Sequence, residues 1–366
     1  MELKYHKELD GVRAIAALMV IAFHYLQAFK ATGQFEFLNK IAVFGQTGVS
    51  LFFVLSGFLI TRILMSTKDT PGYFVNFFAR RSLRIFPLYY LFLCLYYIVL
   101  PLITHSPIKD LSVQKYHWFY LQNFAITFGW NYNGPFHFWS LAVEEHFYLF
   151  WPFLVYFLNS KRLIGSILFI IMLAFFMRFI LLKQNHEVFY FTFCRIDELV
   201  VGAFLAILEA KQKLNEKNAK KFLYFGAAIL IPSLSLWTVF TGAANQTVQL
   251  SKFLLLSLTY FAFIGYVVSV KETHLVKRML KAKPLLYSGK ISYGLYVYHP
   301  MCIGLLLLVF KGNASMLSFG LTIISSYLIA TLSYYLFEVK FLKLKKFFES
   351  REKIVKPEVE YQMEQV

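Results

Sequence analysis

ELDGVRAIAALMVIAFHY, residues 8–25, decides how the rest of the chain is read. Between Arg13 and His24 lie ten consecutive uncharged residues, and the apolar run continues to about residue 30. A helix needs about 20 mostly apolar residues to cross the hydrocarbon core of a bilayer, and the 9–30 segment has that length. The residues leading into it, MELKYHKELDGVR, lack the charged head, short apolar core and cleavage site of a signal peptide. The run is therefore expected to stay as a helix, with an arginine near one end and a histidine deep inside.

Nine further segments of similar or slightly shorter length lie near 41–61, 85–104, 138–158, 163–182, 195–210, 222–240, 249–270, 289–310 and 318–339. They predict an all-α, polytopic membrane protein of about ten transmembrane helices, with no internal repeat. The 195–210 segment is short and opens on Arg195, Asp197 and Glu198. The 105–137 connection contains HWFYLQNF, the pattern of a short interfacial or re-entrant piece. Of the 366 residues, 58% are hydrophobic and only 16% charged. Soluble domains run about 45–50% and about 25%, so no separate soluble module is expected.

The net charge of +17 could suggest nucleic acid, but the basic residues sit in short loops between apolar runs. With the N-terminus placed in the cytoplasm, inside segments carry 27 Lys and Arg and outside loops 6. This asymmetry places both termini in the cytoplasm. The loops then need no partner beyond anionic lipid headgroups, and no nucleic acid is expected. Cys94, Cys194 and Cys302 have neither metal-ligand spacing nor the even count of a disulfide framework, so no metal is expected. Residues 1–342 read as the membrane domain and 343–366 as a basic-then-polar cytoplasmic tail.

Ionisable residues inside spanning helices are expensive, so each is a candidate for the functional site. Arg13 and His24 are 11 residues apart, which puts them near one helix face with a rise of about 16 Å between them. Asp10 lies beside Arg13. In FWSLAVEEHFYLFWP, Glu144 and Glu145 point about 100° apart and enter at the depth of His24. Glu144 is thus a candidate carboxylate partner for a general-base histidine. The structural alternative is an ion pair of these carboxylates with Arg178 or Arg195. In FVNFFARRSLRIFPLYY, Arg80, Arg81 and Arg84 stand at the cytoplasmic mouth near Arg13 in depth, and arginine forks suit phosphates. GKISYGLYVYHPM places His299 before Pro300 near mid-membrane, either as a packing hydrogen-bonder or in the cavity. Ser56 and Gly57 read as sites of helix packing. The candidate cavity set is Asp10, Glu145, Arg195, Asp197 and His299.

Six stretches in this order and spacing resemble the bacterial membrane acyltransferase-3 family, which O-acylates cell-surface sugars: LDGVRAIAALMVIAFH, GVSLFFVLSGFLITR, RRSLRIFPLYY, FWSLAVEEHFYLFWP, RIDELVVGAFLA and ISYGLYVYHP. The resemblance covers roughly residues 8–342 and implies that Arg13 and His24 form the catalytic pair. It also implies that Arg81 and Arg84 belong to the functional set, and that Glu144 carries the family carboxylate. One departure is Lys340, where the family usually has proline; Glu338 is kept. With no esterase-like domain after the membrane part, the chain resembles the standalone branch.

The expected function is O-acyl transfer from cytoplasmic acyl-CoA, by resemblance acetyl-CoA, to a hydroxyl of a carbohydrate or lipid-linked glycan at the bacterial inner membrane. Acyl-CoA is a co-substrate here, and no bound cofactor is expected. Arginines at the inner mouth would hold the donor phosphates, with Arg13 among them. His24 would accept the hydroxyl proton or carry the acyl group, and the sequence leaves both open. The alternative is a membrane carrier or flippase for a polar glycan or organic anion, since intramembrane Arg, Glu and His also mark transport paths. Inverted repeats and paired broken helices would favour that alternative, and the sequence has neither.

Overall fold

With no water in the hydrocarbon core, each backbone polar group must bond within its own segment, and apolar runs of this length close into helices. The computed structural model describes residues 4–29, 37–108, 110–238, 246–311 and 315–348. Ten long helices account for the ten apolar runs: α1 Glu8–Ala28, α2 Gly48–Thr67, α3 Tyr73–Cys94, α4 Trp139–Phe157, α5 Ser160–Lys183, α6 Thr192–Ala210, α7 Glu216–Thr238, α8 Gln246–Ser269, α9 Ser292–Phe310 and α10 Met316–Ser333. No strand occurs among the described residues. Eight of these helices are long and apolar enough to cross a membrane. The other two, α4 and α6, have 19 residues each but carry charged side chains within their first two turns, Glu144 and Glu145 in α4 and Arg195, Asp197 and Glu198 in α6. The chain is an all-α polytopic membrane protein.

Three boundaries differ from the hydropathy reading, each for a local reason. Helix α3 starts at Tyr73, twelve residues before the apolar run, so Arg80, Arg81 and Arg84 are well inside a helix instead of at its mouth. Arg, Ala and Leu are good helix formers and Arg80, Arg81 and Arg84 extend the helix, whereas hydropathy sees only the apolar portion. A short helix, Phe37–Gly45, precedes α2, which shifts that element toward its C-terminal end. With Lys340 in place of a proline, nothing stops the last helix. It runs on from α10 through Tyr334–Glu338 and Val339–Lys343 to a final 3₁₀ turn, Leu344–Phe348, packed on α3. Of the tail, 349–366 lies outside the described residues. The HWFYLQNF piece is two short helices, Leu111–Trp118 and Gln122–Thr127, joined through Tyr120 at φ +57°.

Apolar surface gives no net drive between helices in lipid, so close packing and polar contacts hold the bundle. Helices α2 and α6 make the tightest crossing. A Cβ on Gly57 would overlap the Leu199 carbonyl, and one on Gly202 the Val54 carbonyl. Gly57 therefore has the packing role expected of it. The N-terminal half of α1 is gripped in the same way: Gly11 abuts the Leu280 carbonyl and Gly289 the Asp10 carbonyl. Salt bridges reinforce that grip. Glu8 meets Lys277 at 3.3 Å and Lys281 at 3.7 Å, while Glu272 meets Lys4 at 2.9 Å and Lys281 at 2.5 Å. Large apolar side chains left outside, such as Phe169, Met172, Leu308 and Ile324, are in positions suited to lipid.

Candidate functional site

Two neighbouring cavities open among α1, α2, α3, α4 and α9. The first is lined by Arg13, Ser56, Arg81, Arg84, Ser140, Glu144, Tyr148 and Tyr296 together with apolar residues of α2. The second is lined by Arg13, Tyr73, Asn76, Arg80, Arg81, Arg84 and Lys345. Arg13, Arg81 and Arg84 border both, so the two form one shaft with an arginine waist. Four arginines from α1 and α3 converge there because α3 presents positions 80, 81 and 84, a three-to-four spacing, toward α1.

The charges in this shaft are unevenly balanced. Arg13 Nη1 donates to Asp10 Oδ1 at 2.9 Å, and Tyr5 donates to the other Asp10 oxygen. Arg81 lies over the rings of Phe77 and Tyr148, at 6.0 and 5.8 Å, and forms no salt bridge among the described residues. Nor does Arg84. Glu144 borders the first cavity and accepts from Tyr148 at 3.2 Å, and the Tyr148 hydroxyl is 2.5 Å from Ser56 Oγ. Ser56, read from sequence as packing, is thus part of a polar wall. Glu144 and Glu338 offset Arg81 and Arg84 only from beyond salt-bridge distance, and desolvated arginines held this way are expensive, so a bound anion would relieve them.

Beyond the first cavity the wall is closed by Tyr296, whose hydroxyl donates to the His137 carbonyl and is 2.5 Å from Ser140 Oγ. On the far side three imidazoles meet. His24 Nδ1 is 2.9 Å from His299 Nε2, with ring centroids 5.0 Å apart. His299 Nδ1 is 3.1 Å from the Leu295 carbonyl. The His137 ring centroid is 5.6 Å from that of His299, and its Nε2 is 3.2 Å from the Val297 carbonyl. His299 and His137 are buried, and His24 is half-buried. His299 is thus joined to His24, although neither borders the two cavities of the shaft.

The partners assign the protons. A carbonyl only accepts, so neutral His299 carries its hydrogen on Nδ1 and presents a lone pair at Nε2. His24 must then donate from Nδ1, which leaves the lone pair of His24 on Nε2. A histidine held in one tautomer with a free basic nitrogen is equipped to take a proton or an acyl group.

The remaining candidates fall elsewhere. His24 was expected beside Glu144, but its side-chain partner is His299, because Glu144 turns toward Tyr148 and Ser56. Glu145, about 100° around α4, borders neither cavity of the shaft, and its Oε1 is buried without a hydrogen bond. Arg195 and Asp197 are not cavity residues of this shaft. Arg195 pairs with Glu198 at 2.6 Å and donates to Ser50 and the Phe189 carbonyl, while Arg178 pairs with Asp197. These buried pairs hold α6 to α2 and α5. The ion pair considered for Glu144 and Glu145 therefore does not form, since both arginines are satisfied by α6 itself. Sequence reading missed His137, Ser140, Tyr148, Tyr296 and Lys345. His137 falls in the 105–137 connection and Ser140 is a small polar residue in the first turn of the 138–158 segment, while the tyrosines are indistinguishable by composition from the other 22 in this chain.

Relatives point the same way. The chain is 30% identical over 92% of its length to a putative peptidoglycan O-acetyltransferase, YrhL, of Bacillus subtilis (54% of that protein). It is 29% identical over 81% of its length to the peptidoglycan O-acetyltransferase OatA of Listeria monocytogenes (49% of that protein), and 28% identical over 93% to the O-acetyltransferase OatA of Staphylococcus aureus (58% of that protein). The chain spans about half the length of these curated relatives. No solved structure matches it. Residues 6–335, nearly the whole chain, match the acyltransferase-3 family, described as an acyltransferase domain, and the protein belongs to that family.

Proposed function

We propose that this chain is a membrane O-acyltransferase that moves an acetyl group from cytoplasmic acetyl-CoA to a hydroxyl of a cell-surface glycan. Peptidoglycan is the first acceptor to test, since two relatives are named for it. The observation that carries the reading is the His24–His299 hydrogen bond, which leaves a lone pair on His24 Nε2 behind an arginine-lined shaft. In this reading residues 1–342 are the catalytic membrane domain of the bacterial inner membrane, and both termini face the cytoplasm.

Each residue has a role that follows from its position. Arg13, Arg81 and Arg84 bind the phosphates of the donor. The thioester enters the first cavity past Glu144, whose carboxylate is held by Tyr148. The acceptor oxygen attacks the acyl carbon while its proton passes to His24 Nε2. The carbon–sulfur bond breaks, and the proton is returned to the thiolate of coenzyme A. His299 holds His24 in the required tautomer. Mass spectrometry of surface glycan from cells with and without the protein tests this. Loss of acetyl groups from an otherwise normal glycan is expected, whereas failure of the whole glycan to appear would favour a carrier or flippase.

A further inference from the structure

Sequence reading leaves Lys345 at the basic start of a cytoplasmic tail, yet the side chain borders the same cavity as Arg80, Arg81 and Arg84. It gets there because the last helix is not stopped at 340 and the 3₁₀ turn Leu344–Phe348 folds onto α3. Lys345 is half-buried and forms no salt bridge among the described residues. Arg81 and Arg84 beside it are in the same situation. Three cations that form no salt bridge among the described residues face one space, walled also by Asn76 and Tyr73, with Glu338 near Arg84 and Glu144 near Arg81 as the neighbouring carboxylates. Like charges are placed together out of bulk water only when something else neutralises them. The next residue on the turn, Lys346, points away: it is exposed, with its ammonium 5.1 Å from the Phe347 ring.

We propose that the 3₁₀ turn forms the cytoplasmic wall of the donor site and that Lys345 binds a phosphate of a donor carrying several phosphates, as coenzyme A does. This deepens the donor reading above and rests on it. Three cations without salt bridges around one space suit a carrier with a pyrophosphate and a further phosphate better than a singly phosphorylated one. A point-charge lysine on a long stem accommodates the outermost phosphate without the fixed geometry of an arginine fork. The same phosphate chemistry could be supplied by an anionic lipid headgroup, so the test separates the two.

The full chain in nanodiscs is titrated with coenzyme A and, separately, with pantetheine, which has no phosphate. Wild type should bind coenzyme A and Lys345→Gln about tenfold more weakly. Lys345→Arg should stay close to wild type, because it keeps the charge. Lys346→Gln, the same charge change one residue away, should leave affinity unchanged. The coenzyme A affinity of wild type should fall more steeply with salt than that of Lys345→Gln. Equal affinity of wild type and Lys345→Gln, or equal weakening by Lys346→Gln, overturns the assignment. So does a wild type whose coenzyme A binding is lost in phosphatidylglycerol discs but restored there by Lys345→Gln, since Lys345 then holds lipid. Failure of wild type to bind coenzyme A in any disc removes the donor reading itself, and this inference with it.

Discussion

His24 and His299, 275 positions apart in sequence, share a hydrogen bond of 2.9 Å between Nδ1 and Nε2. The bond joins α1 to α9, and its direction is set by the Leu295 carbonyl behind His299. In the proposed reading His299 would act on His24 much as the orienting residue of a triad acts on its base, though without a negative charge.

The first prediction concerns that pair. His24→Ala should lower transfer by about 10²–10⁴-fold while the protein still extracts and migrates normally. His299→Ala should lower kcat with little change in the donor KM. His299→Gln, whose side-chain oxygen can accept from His24 Nδ1, should recover part of the loss. The two alanine changes together should be little worse than His24→Ala, because residues acting as one unit are not additive. Full additivity would show that His299 has no hold on His24.

Arg84 borders both cavities and forms no salt bridge among the described residues, its nearest carboxylate influence coming from Glu338. Removing it deletes a charge-assisted hydrogen bond to a phosphate, worth about 1.5–3 kcal/mol. Arg84→Ala should raise the donor KM by about tenfold or more and that for the acceptor little. Steady-state kinetics with each substrate varied in turn checks this, and the reverse pattern would move Arg84 out of the donor site.

The crossing of α2 and α6 gives a stability prediction. A methyl at position 57 has no room against the Leu199 carbonyl, so the helices must separate. Gly57→Ala should destabilise the protein by about 1–3 kcal/mol, the usual range for overpacking. Thermal unfolding in detergent reads it, and Gly165→Ala, where a Cβ meets nothing within 4 Å, is the control.

Glu272 lies in the loop after α8, where Lys281 first and then Lys4 hold its carboxylate at a pKa of about 2, below the ordinary 4.5. A lowered folded pKa stabilises above the unfolded value and loses that contribution as pH falls through the folded one. Wild type should therefore be slightly more stable than Glu272→Gln at pH 7, by an amount reduced by solvent screening of this exposed site. The gap should close progressively between about pH 4.5 and pH 2. A gap independent of pH would mean the loop is held by something other than these charges.

Hydropathy made all ten long helices legible, because lipid demands long apolar runs and lipid-facing side chains announce them. It failed at 73–84, where α3 carries its arginines in a polar stretch of helix, and at 340–348, where the chain continues instead of stopping. Arg13, His24, Arg81, Arg84 and His299 stood out because an ionisable group in an apolar run is conspicuous. His137, Tyr148 and Tyr296 did not, since the first borders a loop and tyrosines are abundant here. Pairing was the least legible level. Depth along a helix is readable from residue count, and the Glu144–Tyr148 contact is an i,i+4 spacing within α4, but the meeting of His24 with His299 and of Tyr148 with Ser56 depends on how α1 packs on α9 and α2 on α4.

The final prediction separates Glu144 from His24. Spacing alone made them partners at one depth, which would make their losses non-additive. In the folded protein Glu144 accepts from Tyr148 beside the arginines, while His24 bonds His299 beyond the Tyr296–Ser140 closure. Residues with no shared partner behave independently. Glu144→Gln keeps the size and the Tyr148 hydrogen bond and removes only the capacity for charge, so its main effect should fall on the donor KM, with kcat within about tenfold of wild type. Combined with His24→Ala, its effect should multiply, in contrast to the His24–His299 pair. The three single and two double variants are compared in one transfer assay with saturating acceptor. If Glu144→Gln is as severe as His24→Ala and the double variant is no worse than either, the carboxylate acts on the imidazole during the reaction, and α4 must turn relative to α1 when the donor binds.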